Sequence, residues 1–74
     1  MTRLELRRYN GQWQNRGVIE RVRRTIAARV SMGECVLVDG EGVAGLTLAD
    51  WELICGGFPA DKVRVIRPGV RSLD

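Results

Sequence analysis

The 74-residue chain carries twelve basic and nine acidic residues, no histidine, 45% apolar and 28% charged residues, and a net charge of +3. A chain of this size builds one small domain around a thin core, its aliphatic content excludes a disordered protein, and no apolar run approaches the ~18 residues of a membrane span. The usual general base is absent, and Cys35 and Cys55, without a C-x-x-C, signal neither a zinc site nor a redox dithiol.

The N-terminal MTRLELRR lacks the continuous apolar stretch of a signal peptide, which makes the cytoplasm the expected location. Arginine supplies eleven of the twelve basic residues. A pI near 9.5 permits an anionic partner without requiring one.

Residues 3–9 alternate, Leu4 and Leu6 on one side and Glu5, Arg7 and Tyr9 on the other, which is the period of a half-buried strand. Asn10-Gly11 follows between Tyr9 and Trp13, and Asn-Gly suits the two positive φ angles of a type I′ turn, so a β-hairpin is expected here. Asn15 then caps a helix over residues 16–32 that Gly33 ends. Val18, Val22, Ile26 and Val30, with Ile19 alongside, form its apolar stripe, while Glu20, Arg21, Arg24 and Ala28 occupy the opposite face.

Residues 35–38 read as a buried strand and 43–46 as a further short one across the turn Asp39-Gly40-Glu41-Gly42. Asp39 and Glu41, two acids in a glycine turn, are expected to be solvated turn residues rather than metal ligands. Thr47 and Asp50 have the spacing of a capping box, opening a helix that runs to Cys55 with Trp51, Leu48, Ile54 and Cys55 toward the core. Gly56 and Gly57 stop it, with Phe58 placed to fold back as in a Schellman ending. The run 62–67 is bounded by Pro59 and Pro68 and rich in β-branched residues, favouring a strand with Val63 and Val65 on one face.

The expected fold is therefore α+β: a single domain over residues 1–69, one antiparallel sheet of about four strands and two helices in the order β-β-α-β-(β)-α-β, with a loose tail at 70–74.

Gly40, Gly42 and Gly45 spell G-x-G-x-x-G between an apolar run and a helix, inside a unit the size of one βαβ. On pattern this resembles the opening of a dinucleotide-binding fold, which would place a nucleotide at residues 40–45. Against it, Thr47 and Asp50 satisfy the helix terminus that a pyrophosphate would need. The ribose-binding acid is replaced by Ile66-Arg67-Pro68, and the chain is too short for both halves of a doubly wound sheet. No cofactor is expected.

No Ser, Cys or Lys has an implied base, so enzymatic activity is not expected. The first functional reading is a non-enzymatic accessory or inhibitor protein, of the size and composition that bacteriophages and mobile elements encode. It would meet a protein partner, with an acidic surface, through an arginine and aromatic patch: Tyr9, Trp13, Arg7, Arg8 and Arg16, with core packing against the first helix as the competing and slightly favoured place for Trp13. The alternative is DNA binding, through a helix-turn-helix over 47–66 or an arginine-rich helix, with Arg21, Arg24, Lys62, Arg64, Arg67 and Arg71 on phosphates. No membrane partner is expected, and self-association is left open.

Overall fold

The computed structural model describes residues 1–67. The elements run β1 (Thr2–Glu5), a turn of 3-10 helix (Leu6–Tyr9), α1 (Arg16–Ser31), β2 (Val36–Asp39), α2 (Leu48–Cys55) and β3 (Val63–Ile66). All three strands are parallel, in the order β1-β2-β3. The antiparallel four-strand sheet is thus corrected, and two loops explain why.

At the first loop the strand period continues only as far as Glu5, and Leu6, fully buried, already belongs to the 3-10 turn. Asn10 has φ −56° and ψ 137°, Gly11 has φ 87°, and the Gln12 N–H reaches the Tyr9 carbonyl at 2.9 Å. These are the angles of a type II turn, which needs only one left-handed residue, so Asn-Gly redirects the chain into α1 instead of folding it back as a hairpin. At the second loop, residues 43–46 form no strand; the Val43 N–H closes on the Gly40 carbonyl at 3.1 Å. With both antiparallel partners gone, β-α-β-α-β remains, and each helical crossover lays the next strand down parallel.

The helix ends follow short-range chemistry. Asn15 Oδ1 accepts from the Gly17 N–H at 2.9 Å, and α1 stops with the Gly33 N–H on the Val30 carbonyl and the Glu34 N–H on the Arg29 carbonyl, a Schellman ending. Thr47 and Asp50 form the capping box of α2 in both directions. The expected Schellman ending of α2 gives way to another device. Gly56 is extended, and Arg23 of α1 donates to the carbonyls of Leu53 (2.9 Å) and Gly56 (2.7 Å) while its guanidinium lies 4.5 Å from the centre of the Phe58 ring. An arginine of one helix therefore caps the other.

Val63–Ile66 pairs along β2, which removes the second helix that a helix-turn-helix at 47–66 would require. A Val-Arg-Val-Ile run loses side-chain freedom in a helix and fits a pleated surface.

The core gathers Leu6, Trp13, Ile19, Val22, Ile26, Val36, Val38, Trp51, Ile54 and Val63. The helices pack against each other, so both lie on one face of the sheet, over Val36, Val38 and Val63 with Leu4 and Val65 at the margin. The other face has no covering layer among the described residues, although parallel sheets are usually covered on both sides. No helix among the described residues is long and apolar enough to cross a membrane. The expected tail at 70–74, with Arg71, lies outside them.

Candidate functional site

Two places merit comparison: the glycine loop at the carboxyl ends of the strands, where open α/β sheets bind ligands, and the uncovered sheet face. In the glycine loop four backbone donors, those of Gly40, Glu41, Val43 and Ala44, are already engaged. The Glu41 N–H binds Asp39 Oδ1 (3.0 Å), the Val43 N–H binds the Gly40 carbonyl, and the Ala44 N–H binds Asn10 Oδ1 (3.1 Å). Asn10 returns a bond from Nδ2 to the Gly42 carbonyl (2.9 Å) and accepts from Trp13 Nε1 (3.3 Å), so this one amide ties the first loop to the second.

Helix α2 begins at Leu48, past the last glycine, and carries the Asp50 carboxylate at its start. Arg16 holds that carboxylate at 2.9 Å, and with the Thr47 N–H and hydroxyl it keeps the Asp50 pKa below the ordinary carboxylate range. A phosphate approaching this terminus meets a fixed negative charge, and the Asp50 N–H is already taken by the Thr47 hydroxyl. Gly40 serves packing, since Trp51 and the Ile66 carbonyl occupy the space a side chain would need.

The uncovered face is built by strand register. One row sets Arg3, Leu37 and Arg64 side by side, and the next sets Glu5, Asp39 and Ile66. These positions alternate with the core-facing valines and so point away from the helices. Arg3 and Arg64 are exposed, Ile66 is 42% exposed, and Leu37 is half-buried between the two arginines.

Asp39 is 5% exposed and is no solvated turn residue: it ends β2, accepts from the Glu41 N–H and receives both Nε and Nη2 of Arg3 (3.1 and 2.5 Å). The Glu41 N–H and then the Arg3 guanidinium hold its carboxyl below the ordinary range, and Asp39 in turn raises the pKa of Arg3. Glu5 sits among three guanidinium groups at 3.7 to 3.9 Å, those of Arg3, Arg7 and Arg8, too far for a hydrogen bond to any of them.

The residues expected to contact a protein divide. Arg7 and Arg8 are exposed beside the uncovered face, and Tyr9 is half-buried with its ring 5.5 Å from that of Trp13. Trp13 is only 3% exposed and belongs to the core, as the alternative reading of this residue expects, with its indole N–H donating to Asn10 Oδ1. Arg16 is exposed and tied to Asp50.

The arginines expected on phosphates also divide. Arg21 and Arg24 lie on the outer surface of α1, Arg64 on the uncovered sheet face on the far side of the molecule, Arg67 just past β3, and Lys62 half-buried before it. They form no single stripe. Arg3, Leu37 and Arg23 carry no signal of a functional or organising role in the sequence, Asn10 reads there only as half of a turn, and only the alternation through β1 and β2 could have placed Arg3 and Leu37 on one face. Burial pushes the Cys55 thiol up to about 11, away from nucleophile chemistry at neutral pH. No family of proteins, no curated protein and no solved structure matches this chain.

Proposed function

We propose that the protein is a non-enzymatic binding module whose uncovered sheet face, with Arg7 and Arg8 beside it, meets an acidic surface of a partner protein. The observation that carries this reading is Leu37 set between Arg3 and Arg64 on a parallel sheet face with no second layer among the described residues. An apolar centre with arginine around it is the composition of a protein interface. Three four-residue strands present far less than the ~800 Å² per partner of a standard interface, so the partner extends beyond the sheet onto Arg7 and Arg8.

Affinity capture from the source cell, comparing the native chain with Leu37→Asp and Arg64→Glu, tests this. Both substitutions fall on the uncovered face, and the expected result is a partner held by the native chain and lost by both variants. Retention of random duplex DNA at low salt, weakened by the same changes and falling steeply with ionic strength, would move the function to nucleic acid.

A further inference from the structure

The outer edge of β1 offers a more specific site. The Thr2 N–H donates to the Cys35 carbonyl at 2.9 Å, so Thr2 and Leu4 turn their backbone groups toward β2. The Arg3 N–H and carbonyl and the Glu5 N–H then point away from the sheet, and among the described residues no strand pairs with that edge.

Beside the edge lies a cleft of about 220 Å³ lined by Arg3, Leu4, Glu5, Arg8 and Tyr9. Pockets for drug-sized ligands run to about 300–1,000 Å³, so this cleft suits one side chain. The charge around it is unbalanced: Arg3, Arg7 and Arg8 face Glu5 and Asp39, and Asp39 is already fully engaged with Arg3 and the Glu41 N–H. Arg8, 77% exposed, forms an ion pair with Glu5 at 3.7 Å, and its side chain donates no hydrogen bond among the described residues.

Resting on the proposed binding role, we infer that the β1 edge takes an extended acidic segment of the partner as a fourth strand, with one of its carboxylate side chains in the cleft against Arg8. Backbone hydrogen bonds to Arg3 and Glu5 supply the pairing, and the guanidinium supplies the choice of side chain.

The probe is a blocked Val-Glu-Val-Glu-Val peptide, titrated to millimolar concentration into the 15N-labelled full chain, with the matching Val-Lys peptide and an alternately N-methylated Val-Glu peptide as controls. The Val-Glu peptide should shift the amides of Arg3, Glu5 and Arg8, the lysine peptide should not, and N-methylation or Arg8→Glu should each weaken binding about tenfold or more. Absence of shifts, equal binding of the N-methylated peptide, or dimerisation through this edge in sedimentation would overturn the inference. Failure here is separable from failure of the binding role: a captured partner lost with Leu37→Asp but indifferent to Arg8→Glu keeps the face and discards the edge.

Discussion

Gly40 closes β2, with its N–H on the Ile66 carbonyl at 2.7 Å. A methyl group added there would overlap the Ile66 carbonyl oxygen and Trp51 Cη2, and would stand 3.0 Å from Trp51 Cζ2. Neither neighbour yields easily, since one is the backbone of β3 and the other the tip of an indole that is 5% exposed. Overpacking typically costs about 1–3 kcal/mol, and two rigid neighbours put Gly40→Ala at the upper end, about 3 kcal/mol.

A chain of this length has roughly 4–11 kcal/mol in all. At about 4–8 °C per kcal/mol for so small a domain, the melting temperature should fall by about 12–24 °C. Gly42→Ala is the comparison: its φ is +79° and its nearest neighbour, Arg7 Cδ, stands at an ordinary 3.5 Å, so only the left-handed backbone is penalised, by about 1–2 kcal/mol. Thermal and urea unfolding followed by circular dichroism measure both. A Gly40→Ala protein within about 0.5 kcal/mol of the native one, or less damaged than Gly42→Ala, would refute the packing role given to this glycine.

Four further outcomes are expected. Asn10→Ala removes the amide that joins the two loops; because that residue is exposed and water can replace it, the loss should be about 1–2 kcal/mol, with faster hydrogen exchange at the Ala44 amide. Arg23→Met keeps the aliphatic stem but uncaps α2 and leaves Phe58 without its cation, lowering stability by about 1–2 kcal/mol and loosening the α2 amides first. Asp39 and Asp50 titrate below the ordinary carboxylate range when folded, so the folded chain binds fewer protons than the unfolded one there. Their contribution is present above that range and is lost as pH falls from it through the lowered folded values, and Asp39→Asn should flatten the acid side of the urea midpoint against pH. NAD or NADP should leave the melting temperature unchanged, whereas a rise of several degrees would return the glycine loop to a ligand.

What the sequence determined by itself was local. Asn15 and Thr47 start helices because their oxygens reach N–H groups two and three residues away, and the stripe through Ile19, Val22 and Ile26 shows its face at helical spacing. The choice of strand over helix for Val63–Ile66 was legible in the same way, from β-branched residues between prolines.

Tertiary structure decided how these pieces meet. Asn10-Gly11 is compatible with more than one turn, and the burial of Trp13 with Asn10 bridging to Gly42 and Ala44 goes with type II, which makes the sheet parallel. Arg3 finds Asp39 across thirty-six positions of sequence, and Leu37 comes to lie between Arg3 and Arg64, only once β2 is the middle strand. Side-chain spacing within a strand says which residues share a face. It carries no record of which strand lies beside it or of which face the helices leave uncovered, and on those two facts the candidate site depends.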